Sequence, residues 1–325
     1  MKPAPKITRR ELLAASAAVS LTACRRAPLP IAPARVSIVR APAYDQRIYD
    51  TVRRILDEHN LEVRGRSVVI KPNLVEFEPE SFINTNPLLV HATAEAFRAR
   101  GAASVVIAEG PGHRRNTLDL ADAAGYFKIV PKFEDHFIDL NLDDVTQVHL
   151  PRQFSSLGKL YLPNTALRAD LLVSMPKMKT HHWVGATLSM KNLFGLVPGG
   201  VYGWPKNVLH WAGIAECIAD LHAAFPRQFA LVDGIVGMEG NGPIQGTAKY
   251  AGVLVAGSDP VAVDATCCRI MRIDPYRVPY LQLAIEGADA RISEHNVRQS
   301  GEAISAVATP FQLIPEFRSF RLENG

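Results

Sequence analysis

Acidic side chains are missing from one long stretch. Between Leu171 and Ala215 the chain has no aspartate or glutamate, yet it carries Lys177, Lys179, Lys191 and Lys206 together with His181, His182 and His210. Unneutralised charge of one sign over such a span predicts a site for a small anion, a carboxylate or a phosphate. A solvated basic face is the plainer alternative. Cysteine is scarce as well. Cys24, Cys217, Cys267 and Cys268 form no CxxC pair, so no disulfide framework is implied, and the last three read as small core residues. The phosphate-binding pattern GxxxxGK[ST] is absent, which excludes a P-loop. No apolar run near the N-terminus is long enough to span a bilayer. Leu12 to Ala23 gives 12 residues, where a spanning helix needs about 20.

What is present is distributed unevenly. The formal charge is +4. Residues 1–23 carry +3 and residues 24–35 another +3, so the body from Val36 onward holds 4 − 3 − 3 = −2. A nucleic-acid binder would carry a basic body, so no nucleic-acid partner is expected. The leader contains "TRRELLA" with paired Arg9 and Arg10, and ends in "LTAC". The pair resembles a Tat export signal, with Leu12 where Phe is usual. "LTAC" resembles a lipobox, which would make Cys24 the lipidated N-terminus of the mature protein. Ordinary cleavage with Cys24 incidental is the alternative. The expected organisation is a signal peptide over 1–23, a Pro-rich tether over 24–35 and one α/β domain over 36–325. The expected location is the cell envelope or periplasm, with the membrane a partner through the lipid anchor.

The body alternates β-rich apolar runs with helix-length patterns. Strands are predicted over 35–41, 67–73, 104–110, 171–177, 229–234 and 252–259. Helices are predicted over 45–59, 86–101, 208–223, 260–271 and 277–286. Asn86 and Pro87 mark a helix start. Residues 126–165 fit an antiparallel hairpin or a small subdomain. This order predicts an α/β fold, a mostly parallel or mixed sheet with helices on both faces. Chemically capable residues recur at strand ends: Lys71 and Asn73, Glu109 and His113, Lys177 and Lys179, Asp233, Asp259. Ligands of open α/β sheets bind outside the carboxyl ends of the strands, so these residues predict one composite site. Strand ends also simply meet solvent.

Four stretches supply its chemistry. In "MPKMKTHHWVG" an extended backbone would send Lys177, Lys179 and His181 to one side. A desolvated lysine there can act as base or nucleophile. "AEGPGHRRN" places Glu109 at a strand end and His113 after a Gly-Pro-Gly turn, where histidine suits proton transfer. "LVDGIVGMEGNGPIQG" offers Asp233 and Glu239 as bases or hard-metal ligands, among glycines that form an anion nest or a tight turn. In "GSDPVAVDA", Asp259 before Pro260 reads as a helix cap, and Asp264 points to the site or a basic partner. The expected proton-exchanging groups are His113 and His181, with Lys191. The expected ligand-binding groups are Lys71, Asn73, Lys177, Lys179, His182 and Asn192.

The phrases "VVIKPNLV", "VVIAEGPG", "VSMPKMKTHHWVGATLSMKNLFGLVPG", "LVDGIVGMEGNGPIQG" and "VLVAGSDPVAVDATCCRIM" together resemble the domain of unknown function 362 family. They lie in order across residues 66–285. The resemblance implies an α/β domain and no established general activity. Many members carry ferredoxin-like cysteine runs for iron–sulfur clusters; this chain has none. "GPGHRRN" and "HHWVGATLSMKNLFGLVPG" are also similar to the lactate racemase family. That similarity implies an acid–base isomerase in which two histidines exchange protons and a lysine carries a nickel pincer cofactor. His113, His181 and Lys191 stand at the matching positions, with "ATLSM" in place of the family's glycine-rich run. Three readings follow: an acid–base enzyme acting on a small anion, a non-catalytic ligand- or cofactor-binding lipoprotein, and an interaction protein.

Overall fold

Valine and isoleucine runs form the strands, because branched side chains suit a pleated surface buried on both faces. The computed structural model describes residues 32–79, 81–286 and 291–323. The expected signal peptide and Cys24 lie outside the described residues. The strands are β1 (Ala34–Arg40), β2 (Ser67–Pro72), β3 (Ser104–Glu109), β4 (Phe137–Asp139), β5 (Val145–His149), β6 (Lys159–Pro163), β7 (Leu171–Met175), β8 (Lys177–His181), β9 (Gly185–Thr187), β10 (Gln228–Glu239), β11 (Thr247–Gly257) and β12 (Val297–Gly301). Five helices matter below: α1 (Arg47–His59), α2 (Pro87–Ala99), α3 (Ser189–Asn192), α4 (Ile214–Ala224) and α5 (Pro260–Ile270). Because β1 begins at Ala34, the last two residues assigned to the tether belong to the sheet.

Among the described residues, ten strands form one sheet in the order β12-β1-β11-β10-β7-β2-β3-β4, with β8 on β10 and β9 on β8. The run β10-β7-β2-β3-β4 is parallel, and β11 is antiparallel to both its neighbours. The architecture is the mixed α/β sheet expected from the sequence. Successive strand residues feed opposite faces. Val68, Ile70 and Leu231 pack with Val52 and Leu56 of α1 and Leu89 and Phe97 of α2. Val69, Val232 and Val255 pack on the other face with Ile218 of α4 and Ala262 and Ile270 of α5.

Local signals account for most boundaries. The Asn86 side chain accepts from the Leu88 N–H at 2.9 Å and Pro87 opens α2. Asp259 caps α5 by accepting from Ala262 N–H at 3.0 Å. Residues 126–165 contain an antiparallel pair, β5 with β6. The helix expected over 208–223 is divided. A short turn covers Asn207–Trp211, and α4 starts at Ile214 because Gly213 takes φ 100°, a conformation that ends a helix. Cys217, Cys267 and Cys268 are free and buried. No helix among the described residues is long and apolar enough to cross a membrane.

Candidate functional site

Parallel neighbours β2 and β3 end side by side, so their last polar residues meet. Lys71 Nζ lies 2.7 Å from Glu109 Oε2, and both side chains are buried. The ammonium also donates to Pro72 O at 3.1 Å and Asn192 Oδ1 at 3.3 Å. Glu109 accepts further from Leu74 N–H at 3.1 Å and Gly110 N–H at 2.8 Å. Burial lowers the Lys71 pKa, and Glu109 opposes that shift. A buried ion pair survives only when such hydrogen bonds complete it.

Over this pair opens a cavity of ≈ 390 Å³. Its walls come from the loops after β2 and β3, from the end of β8 through α3, from the turn at 205–210, and from the glycine-rich loop after β10. Lys71, Asn73, Glu109, His113, His181, His182, Lys191 and Asn192 all line it. Lys191 is presented by α3, whose first turn is held by Asp264 of α5. Asp264 accepts from Ser189 N–H at 2.8 Å, Ser189 Oγ–H at 2.5 Å and Met190 N–H at 3.0 Å. Burial still pushes Asp264 up to about 7. Lys191 Nζ lies 3.8 Å from the centre of the Phe194 ring and has no hydrogen-bond or carboxylate partner among the described residues. Burial, with Lys71 adding repulsion, lowers its pKa to about 7.

The two adjacent histidines differ in setting. His181 is 5% exposed. Burial, then repulsion from Lys191, His182, Lys179 and His210, holds it well below its ordinary value. Its Nδ1 accepts from Trp183 N–H at 3.0 Å. His182 Nδ1 lies 2.7 Å from Gly242 O. His113 stands exposed at the rim. On the walls, Asn73 Oδ1, Thr187 Oγ1 and His210 Nδ1 are buried without a hydrogen-bond partner. Buried polar atoms are normally paired, so three unpaired ones on one surface mark a place built for a polar ligand.

Lys177, Lys179, Asp233 and Glu239, expected in the site, do not line the cavity, and neither does Asp259, the cap of α5. Lys177 and Asp233 form a second buried ion pair at 2.7 Å. Tyr44 O–H donates to Asp233 at 2.7 Å, Lys177 donates to Tyr44 at 2.9 Å, and Asn86 N–H donates to Asp233 at 3.0 Å. Both charges are thereby satisfied. Residues four apart on a strand stand roughly 13 Å apart, so Lys177 cannot share a small site with His181. Lys179 is buried and donates to Pro243 O at 3.2 Å. Glu239 accepts from Gln312 N–H at 2.8 Å and pairs with Lys249 at 3.5 Å.

Two ionisable lining residues were not assigned to the site from the sequence, Lys206 and His210. Lys206 is buried and donates to Gly110 O at 2.6 Å. Burial lowers its pKa to about 7. Both belong to the acid-free span, and that was their only signal. Among the described residues no three His, Cys, Asp or Glu side chains converge as metal ligands. The donor set therefore does not fit a metal held by the protein's own side chains, and no step below passes through one.

The chain is 27% identical to a thylakoid-associated protein of Synechocystis sp. over 75% of its own length and 76% of that protein's. Among solved structures it is similar to the lactate racemase apoprotein of Thermoanaerobacterium thermosaccharolyticum, with TM-score 0.42 and 19% identity over 74% of this chain. A protein from Thermotoga maritima gives TM-score 0.37 and 12% identity over 75% of this chain. The chain spans 57% and 60% of these two structures, under two thirds of each. Residues 68–269 match the family described as Domain of unknown function (DUF362). That span contains every residue lining the cavity, and the chain belongs to this family.

Proposed function

We propose that the cavity binds a small organic anion and moves a proton on it. One observation carries this reading: the Lys191 ammonium faces the cavity with no carboxylate beside it. Lys71, Lys191 and Lys206 line the space against Glu109 alone, so a bound carboxylate or phosphate would supply the missing negative charge. Asn73, Thr187 and Asn192 offer neutral hydrogen bonds to it, and His113, His181 and His182 are the groups able to exchange a proton. Leu74, Val75, Phe194, Leu209 and Ile244 supply apolar wall, which favours a small carboxylate over inorganic phosphate.

Anion binding is coupled to protonation. Lys191 and Lys206 carry charge below about pH 7 and lose it above. Affinity therefore rises as pH falls through 7. Calorimetric titration with a panel of carboxylates and phosphates should give binding about tenfold or more tighter at pH 6 than at pH 8.5. Lys191→Met should weaken binding at pH 6. Absence of saturable binding by every member of the panel at pH 6 would reject the anion site, and binding with no proton exchange on any ligand would leave a carrier.

We further propose export and lipid tethering. Arg9, Arg10 and "LTAC" support it, as does similarity to a protein named as thylakoid-associated. Intact mass of the mature protein from its own envelope fraction should show a chain beginning at Cys24 with added acyl mass.

A further inference from the structure

His181 and His182 are tied to the backbone through the same ring atom with opposite polarity. Trp183 N–H donates to His181 Nδ1 at 3.0 Å. That nitrogen must offer a lone pair, so in the neutral ring the hydrogen sits on Nε2. Gly242 O lies 2.7 Å from His182 Nδ1. A carbonyl oxygen only accepts, so His182 Nδ1 carries the hydrogen and its Nε2 keeps the lone pair. The same carbonyl accepts His182 N–H at 3.0 Å, which fixes the ring's attachment. A Cβ at position 242 would stand 2.2 Å from Thr180 O, so only glycine brings that carbonyl this close. Both rings line the cavity, with centroids 5.0 Å apart. Neither Nε2 is bonded elsewhere among the described residues. Inverting either tautomer would lose a hydrogen bond and set like poles together.

We infer that the pair is a fixed donor beside a fixed acceptor: His181 Nε2–H holds an oxygen of the bound anion, and His182 Nε2 takes a proton from that ligand. The inference rests on the anion site proposed above and names its substrate class. The ligand is a small carboxylate bearing an acidic hydrogen close to an acceptor oxygen. In the step, the His182 lone pair forms an N–H bond as the ligand's C–H or O–H bond breaks. The electron pair stays on the ligand. The resulting imidazolium keeps its bond to Gly242, and His181 N–H with the Lys191 and Lys206 ammoniums faces the new negative charge. This reverses the expected roles, in which His181 exchanged the proton and His182 only bound.

The test uses the mature chain labelled with 15N-histidine, observed by long-range proton–nitrogen correlation at pH 8. His181→Gln and His182→Gln assign the signals. Protonated Nε2 at His181 and protonated Nδ1 at His182 are expected. The same tautomer at both, or protonated Nε2 at His182, overturns the inference. Pyruvate is the chemical probe, since its methyl hydrogens are acidic and adjoin a carbonyl. Its methyl exchange with D2O should drop at least tenfold in His182→Gln. In His181→Gln, whose amide N–H replaces Nε2–H only in part, pyruvate binding should weaken and exchange at saturating pyruvate should fall less than in His182→Gln; an equal or larger fall there overturns the division of roles. Pyruvate that binds without exchanging in the wild-type protein, or exchanges equally in His182→Gln, overturns the acceptor role. Failure of pyruvate and all other carboxylates to bind by calorimetry counts against the anion site, while the spectra still decide the tautomers.

Discussion

A Cβ built on Gly195 would stand 2.0 Å from Glu109 Oε1 and 2.5 Å from Lys71 Nζ. Neither group can move aside, because each is buried and tied by several hydrogen bonds. Gly195→Ala should therefore cost roughly 2 kcal/mol or more in urea unfolding, through overpacking and a loosened ion pair. Gly112→Ala, where nothing lies within 4 Å, should be close to neutral. Residues of this kind divide by how far their partners lie along the chain. Lys71 and Glu109 were legible because each closes a Val/Ile run that could only be a strand. The separate roles of His181 and His182 were not, since His182 takes its polarity from a carbonyl 60 residues away. Lys177 and Asp233 looked like site residues for the same reason as Lys71 and Glu109. Only the position of Tyr44 and Asn86 shows that they satisfy each other elsewhere.

Among the elements, α3 is the one that presents Lys191 and Asn192, and it is a single turn. A helix that short does not stand by its own propensity. Asp264 of α5 supplies the anchor through three donors. Asp264→Asn would turn an amide N–H toward donors and should lose roughly 1–3 kcal/mol, with weaker carboxylate binding by calorimetry as Lys191 shifts. Asp259→Asn is the contrast. Asparagine caps helices as well as aspartate does, so the change removes only the ion pair with Arg291 at 3.3 Å; it should cost about 1 kcal/mol or less and leave binding alone. The sequence separated these two aspartates only halfway: "SDP" is a cap signal read from three adjacent residues, whereas Asp264 serves an element 75 positions upstream. The alternation of strands and helices was legible throughout. The break at Gly213 was not, because its neighbours continue an apolar helical period across it.

Over the whole molecule the shifted groups add to a pH profile. His59, His91, His181, His210 and His222 are all lowered, chiefly by burial. Below pH 6.5 they bind fewer protons folded than unfolded, so stability rises as pH climbs to that point. Lys191 and Lys206 extend the rise from about 7 towards 10.5. Asp264, raised to about 7 from 3.8, acts against it between those values, one group against five. Tm should be several degrees higher at pH 8.5 than at pH 5.5, opposite in direction to anion affinity; a higher Tm at pH 5.5 would refute the assignment. The cavity walls add a consequence in time. They come from five stretches that meet only after β2, β3, β8 and β10 have taken their places in a sheet that sets β7 between β2 and β10. Contacts made that late are absent from the folding transition state, and stabilising them slows unfolding without hastening folding. A saturating carboxylate should therefore lengthen the lifetime of the native chain in denaturant while its refolding rate stays the same.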